Sequence, residues 1–428
     1  MSRLEAGPCL SRGQPLPALE PRVTVVQDGS RLHYGLPLAL AHSGILDTVH
    51  TDWFVWPRSA EAVFARLMHR FGGVTGRRLA ARRCAGLDDS RVVAAGWPSL
   101  WERLRESRAE LPEAIFARRS QAITRQVLAD GWRNANVLAG FVRNVDPALA
   151  EAARRDELAV VLDQMIAPIA VELREEEHQA ERWPEWWWPQ RRDGADIMRD
   201  VEIRSWAAAS HITCASDYVS NGLIAEGIDR DRISVIPYPV DAAALRYHDR
   251  RARRGPIVVG FVGAVSLRKG APAFLEIARA FDPEVVSFVM VGPATVDPAL
   301  IERRRGLVEI VGAVPRAEVR DWLNRFDLFL FPSACEGSAG AVLEAMATGL
   351  AVVTTPNSGT PVRDGLEGFV LGCDDIDGMI RRVEELVRDD DLRFRMGQAA
   401  RRRVESLTVE RYGKAWHDLL RRILAKTV

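Results

Sequence analysis

Short runs of β-branched and aliphatic residues recur along the chain, and each is followed by a stretch whose apolar positions return with helical spacing. Val23 to Gln27 (VTVVQ) reads as the first strand, and Tyr34 to Ser43, with Leu36, Leu38 and Leu40, as the first helix. Residues 47–56 mix β-formers with aromatics and read as a strand and its following loop. A helical stretch from 113 leads into NVLAGFV, helix 147–156 leads into LAVVLDQ (158–164), and an acidic helix covers 168–182. Helix 196–212, the run ITCAS (212–216), a helix to about Glu226 and RISVIPYPVD (232–241) close the first half. The second half is more regular: strands at 257–263, 285–291, 307–312, 327–332, 350–355 and 367–371 alternate with helices. Two helices reach from 375 to about 405, and an amphipathic tail spans 409–425. Strand and helix alternating in this way predict an α/β protein built on doubly wound parallel sheets.

Composition narrows the class. A chain of 428 residues, 47% hydrophobic and 27% charged, predicts a globular protein of two or three domains. The formal net charge of zero gives no overall pull toward nucleic acid. No run approaches the roughly 18 apolar residues of a spanning helix, and residues 1–20, rich in Pro, Gly and Ser, are expected to be disordered and lack the apolar core of a signal peptide. Cys9, Cys84, Cys214, Cys335 and Cys373 are scattered without C-x-x-C spacing, which suits a reducing cytoplasm and suggests neither a disulfide framework nor a zinc site. Asp88-Asp89 and Asp389 to Asp391 lie in polar turns and read most simply as solvated, so no metal is expected.

Two stretches keep two readings. Residues 61–83 hold Arg66, Arg70, Arg77, Arg78, Arg82 and Arg83 against Glu61. They form either a solvated helical face with a flexible loop or a patch for anionic lipid headgroups at the inner face of a membrane or for a phosphorylated acceptor. Trp183, Trp186, Trp187 and Trp188 either anchor the acidic helix in a core or line a groove for a sugar acceptor, since indole faces stack on sugar rings.

The chemistry concentrates in Phe329 to Thr354 (FLFPSACEGSAGAVLEAMATGLAVVT). A strand ends at Pro332-Ser333, a short loop carries Glu336, a helix from about Ala339 to Ala347 carries Glu344, and Gly349 stops it before the next strand. Loops at the carboxyl ends of parallel strands bind ligands, and the helix N-terminus points unpaired N–H groups at the same place. A second candidate, Gly263 to Gly270, follows the first strand of the second half and carries Arg268 and Lys269, one of only three lysines in the chain. Glycine and cations before a helix suit a phosphate.

Pro332, Ser333, Glu336, Gly337, Gly340, Leu343, Glu344, Ala345, Met346, Ala347, Gly349 and Val352 resemble the Glu-x7-Glu signature of retaining GT-B glycosyltransferases, glycosyltransferase family 4 in particular. Gly263, Lys269 and Gly270 are similar to that family's diphosphate segment, and the P-x-x-V-D end of 232–241 to its hinge strand. The resemblance implies two Rossmann-like domains, 21–240 and 241–408, facing a cleft, with residues 409–428 crossing back as a helix to the first domain; His248 to Gly255 is the charged linker. It implies transfer of a sugar from a nucleotide-sugar donor, a UDP- or GDP-sugar, to an acceptor hydroxyl of a glycan, a lipid-linked glycan or a small molecule, with retention and without a metal. Glu344 would take the ribose hydroxyls and Glu336 would lie near the donor sugar. Lys269 and Arg268 would stabilise the diphosphate, and Gly263 with the backbone of Ser338, Ala339 and Gly340 would complete the donor site. Two positions depart from the pattern: Ala264 replaces an arginine, for which Arg268 could substitute, and Asp163-Gln164 stands where a histidine near the donor sugar is usual. An inactive nucleotide-sugar-binding relative is the alternative. A dehydrogenase is disfavoured because no G-x-G-x-x-G follows either domain's first strand.

Overall fold

The computed structural model describes residues 19–71, 76, 79, 80, 82–97, 99, 111–188, 191–247, 255–302 and 306–427. The expected disordered N-terminal residues up to 18, linker residues 248–254 and part of the arginine-rich 61–83 segment lie outside them. Seven strands form one sheet: β1 (Val23–Gln27), β2 (Leu46–Thr51), β3 (Val92–Ala94), β4 (Val137–Phe141), β5 (Ala159–Gln164), β6 (His211–Cys214) and β7 (Ile233–Val235). Their order is β3-β2-β1-β4-β5-β6-β7. Six more form a second: β8 (Ile257–Val262), β9 (Val286–Val291), β10 (Glu309–Gly312), β11 (Leu328–Phe331), β12 (Ala351–Thr354) and β13 (Gly368–Val370), ordered β10-β9-β8-β11-β12-β13. All pairings within the two sheets are parallel. Strands such as β4 and β11 are buried at every residue because helices cover both faces, so they read as unbroken apolar runs.

Several boundaries moved for tertiary reasons. The helix expected at 196–212 runs from Arg191 to Ala208, because the chain must straighten for His211 to pair beside Val161 of β5. The edge strand β3 is only three residues long and leaves no run to recognise. The first helix begins at Gly35, after a turn in which Leu32, His33 and Tyr34 all hold left-handed backbone angles (φ 48°, 53° and 62°). Such angles cost non-glycine residues energy. Burial of the Tyr34 ring edge-on to Phe54, centroids 5.8 Å apart, helps to hold them.

The chain passes between the domains twice, and the two crossings touch: Val240 N–H donates to the carbonyl of Leu407 at 2.9 Å. Beyond the second crossing, the helix Val409–Thr427 buries Tyr412, Trp416, Leu419, Leu420 and Leu424 in the core of the first domain beside the helix Gly35–His42. The helix Ile169–Arg182 reaches the other way. Trp183 and Trp186, just after it, belong to the core of the second domain, and its last turns pair with that domain through His178–Asp374 (2.8 Å), Gln179–Asp374 (2.9 Å) and Arg182–Glu276 (2.7 Å). The tryptophan cluster therefore divides: Trp183 is buried in the core, Trp188 is exposed on the cleft wall, and Trp186 and Trp187 line the cleft while packing against the core. Among the described residues no helix is long and apolar enough to cross a membrane.

Candidate functional site

A cleft of about 1570 Å³ separates the two sheets and is lined by residues of both domains. In the second domain it opens where strand order reverses, between β8 and β11, which are hydrogen-bonded neighbours. Parallel sheets bind ligands at such a switch point because the loops leaving the two strands diverge. The loops here are Gly263–Gly270 after β8 and Pro332–Ala339 after β11, the two stretches that carry the charged candidates.

The loops are locked together by backbone. Gly270 sits at φ +74°, and a Cβ there would lie 1.8 Å from the carbonyl oxygen of Pro332, so only glycine fits. The carbonyl of Arg268 accepts from the Ala334 N–H at 2.9 Å and from Ser333 Oγ at 3.1 Å. This clamp brings Lys269 Nζ to 2.5 Å and Arg268 Nη1 to 3.0 Å from the same oxygen, Glu336 Oε1. Arg268 Nη1 also donates to the Cys335 carbonyl at 2.7 Å. Burial pushes the Glu336 carboxyl up, but Arg268 and Lys269 outweigh it and hold the group below the usual carboxylate range. Burial opposes the Arg268 charge too, yet Glu336 and Glu172 hold that guanidinium above its ordinary value. Lys269 goes the other way: burial keeps its ammonium below the ordinary lysine value despite Glu336. A further anion at this place would therefore favour the charged lysine.

Glu344 lies one turn into the helix Gly340–Ala347. Its carboxylate is held by both arms of the Arg316 guanidinium, one at 2.9 Å. The first domain comes close to this pair: burial lowers His33, and among its charged neighbours are Arg316 and Glu344. Arg268, Glu336, Ser338, Gly340 and Glu344 line the cleft, together with Ala264, the position that departs from the family arginine. Gly263, Lys269 and Ala339 stand behind them. Ala339 N–H donates to Ser358 O at 3.0 Å and Gly263 N–H to Val291 O at 2.9 Å, so these two amides are already bonded within the protein. Lys269 Nζ meets the site at Glu336 Oε1, the oxygen that Arg268 also reaches. Gly337 brings the two domains together. Its carbonyl accepts from Ser216 Oγ at 2.5 Å, and a Cβ on it would lie 1.8 Å from Met165 O of the first domain.

Asp163 and Gln164 end β5 on the cleft wall, but both side chains are committed within the first domain. Gln164 donates to Glu202 Oε1 (2.9 Å) and Ile166 O (3.0 Å) and accepts from Trp206 Nε1 (2.9 Å). Those contacts use both N–H groups of its amide, so it has no donor left for a sugar hydroxyl. Asp163 is fully buried and accepts from Thr213 Oγ1 (2.8 Å) and Tyr238 OH. Asp163 thus holds the hinge residue Tyr238, and Gln164 ties Trp206 to Glu202.

Burial lifts the Asp163 carboxyl to about 7, with Tyr238 and Thr213 opposing the rise. A folded value above the ordinary value of about 3.9 means the folded state holds the proton more tightly. The stabilisation is then complete below pH ~4 and is lost as pH rises through ~7. Asp163→Asn should remove that dependence, so its melting temperature relative to the native chain should climb between pH 4 and pH 8. A difference independent of pH would show that the carboxyl titrates normally.

Residues that sequence reading did not find complete the first domain's side of the cleft. Arg143 bonds Glu202 at 2.8 Å and lies 3.6 Å from Glu172. Arg191 bridges Glu172, Glu176 (3.1 Å) and Glu113 (3.3 Å). These partners are separated by 15 to 78 positions along the chain, so no local spacing signals them. Among the described residues no group of three or more His, Cys, Asp and Glu side chains is placed to hold a metal ion.

Comparison with known proteins agrees with this architecture. Residues 256–389 match the family described as Glycosyl transferases group 1. Glycogen synthase of Mycobacterium tuberculosis is 30% identical over 226 residues, 49% of this chain and 54% of that protein. The matches to curated relatives span about half of those proteins' length. Sucrose-phosphate synthase from Thermosynechococcus elongatus superposes with a TM-score of 0.68 at 14% identity over 95% of this chain and 100% of that one. Anabaena HepE, solved with UDP and glucose, gives 0.61 at 14% identity over 94% and 99%. The fold is GT-B, and the second domain carries the sequence pattern of the group 1 glycosyl transferases.

Proposed function

We propose that this protein transfers a sugar from a nucleotide-sugar to an acceptor hydroxyl with retention at the anomeric carbon, in glycan or glycoconjugate synthesis. The observation that carries the reading is the meeting of Glu336 and Glu344 in one cleft with Arg268, backed by Lys269, at the switch point of a GT-B domain. The likeness of 256–389 to the group 1 family and the presence of UDP and glucose in the related HepE structure support it.

In this reading Glu344 accepts from the ribose hydroxyls, and Arg316 fixes the orientation of its carboxylate. The diphosphate approaches Arg268 and Lys269, which Glu336 holds in place before it arrives. As the sugar–phosphate bond breaks, charge gathers on the departing phosphate oxygen, and the two fixed cations stabilise it without reorganising. That oxygen takes the proton of the attacking acceptor hydroxyl, so the residues near the sugar need supply no separate base. The convergence of these two cations on Glu336 is the electrostatic basis of the step.

A melting-temperature screen over UDP, GDP and ADP with their sugars tests the reading. The true donor nucleotide, at 100 times its dissociation constant, should add about 2.7 kcal/mol of stability. Glu344→Ala should weaken that nucleotide by about 1.5–3 kcal/mol, the value of a hydrogen bond to a charged group. Unchanged calorimetric affinity in the variant would remove Glu344 from the site. Nucleotide binding without turnover on any acceptor would favour the inactive relative.

A further inference from the structure

On the first domain's side, the cleft holds an arginine that no carboxylate among the described residues pairs with. Arg31 follows β1, lines the cleft, and stacks its guanidinium over Phe116 at 5.3 Å from the ring centroid. Its Nε is buried with no hydrogen-bond partner, and among the described residues no carboxylate lies within ion-pairing distance of it. The two acids that could serve it are engaged elsewhere. Asp28 lies 3.8 Å from Arg119, while Asp52 binds Arg82 at 2.6 Å and the Gly29 N–H at 2.8 Å. Three other arginines of the cleft differ. Arg143, Arg191 and Arg268 each have carboxylates within 3.1 Å.

From this arrangement we propose that the acceptor carries a phosphate group, and that Arg31 receives it. Calling the ligand an acceptor rests on the sugar-transfer reading above; the anion site itself does not. The site is separate from the diphosphate cations. Arg31 follows β1 of the first sheet, whereas Arg268 and Lys269 follow β8 of the second. Burial lowers the Arg31 guanidinium below its ordinary value, Asp28 and Asp52 only partly restore it, and Arg82 and Arg143 press it further down. An under-compensated cation beside a large cleft gains most from an anion with several acceptor oxygens, and a planar guanidinium binds phosphate through two parallel hydrogen bonds. The left-handed turn at Leu32–Tyr34 is consistent with such a role, since backbone strain gathers at ligand-holding loops.

Melting curves at saturating UDP, with inorganic phosphate titrated against sodium chloride of equal ionic strength, test the site. The native chain should show a saturable rise with phosphate and none with chloride. Arg31→Gln should raise the apparent dissociation constant for phosphate about tenfold or more, the loss expected for a hydrogen bond to a charged group. Arg31→Lys, which keeps the charge but not the fork, should fall between, and it carries the comparison should the glutamine variant fold poorly. Glucose 6-phosphate and dihexanoyl phosphatidic acid, titrated in the same way, separate a phosphorylated soluble acceptor from a lipid headgroup. The source is the one bound more tightly than phosphate in an Arg31-dependent way. A phosphate response in Arg31→Gln equal to that of the native chain, or one reproduced by chloride, overturns the proposal. The UDP shift reads the donor site independently. If UDP and the other nucleotides give no shift, the sugar-transfer reading fails, and the phosphate response of a Lys269→Ala chain with and without Arg31→Gln still decides whether Arg31 holds an anion.

Discussion

Lys269→Ala is expected to lower sugar-transfer turnover by about a hundredfold or more, the loss seen when one fixed donor to a developing oxyanion is removed. Arg268→Ala should cost a similar factor, and the double variant should cost less than the product of the two. The reason is geometric: both cations reach the same oxygen of Glu336, at 2.5 and 3.0 Å, so they act on one place and their effects are coupled. Adjacent side chains often diverge, and here the clamp at Gly270 and Pro332 makes them converge. Melting curves should accompany the kinetics, since either change leaves Glu336 with a single cation in a buried place. Native turnover in Arg268→Ala beside an inactive Lys269→Ala would assign Arg268 to holding the Cys335 carbonyl alone, and Lys269 would then be the sole cation of the leaving group.

Trp416→Ala should destabilise the first domain by about 3–5 kcal/mol, the usual cost of emptying a buried aromatic site. Trp416 is fully buried where the last helix crosses onto the first domain, and its ring meets Tyr412 edge-on at 6.3 Å. Trp416→Phe should cost far less. Phenylalanine keeps a large ring in the buried site and so retains much of the packing that alanine loses. Denaturant unfolding followed by signals specific to each domain is the appropriate measurement, because a two-domain chain need not unfold in one step. First-domain unfolding unchanged in the alanine variant would mean that the crossover helix adds little to the stability of the domain it covers.

Periodicity alone located most strands of both sheets, because the central ones are buried on both faces and written as apolar runs. Glu336 and Glu344 could be picked out because the strand, loop and helix that carry them are contiguous in the chain. Elements set by pairing were harder. β3 is a three-residue edge, and the helix ending at Ala208 stops where β6 must join β5. The tryptophan cluster has no period because its members serve two different surfaces, a core and a cleft wall.

What the sequence by itself determined was the alternation of elements, the glycines that permit close loops, and the residues that carry charge at the carboxyl ends of strands. Tertiary structure decided which charges remain available. It paired Glu344 with Arg316 from 28 residues away, consumed Gln164 and Asp163 inside the first domain, and placed Lys269 behind Glu336 rather than on the cleft wall. It also left Arg31 with no carboxylate partner among the described residues. Local pattern records whether a residue is polar, but the strength of its charge depends on burial and on partners brought from distant parts of the chain, and only the folded arrangement sets those.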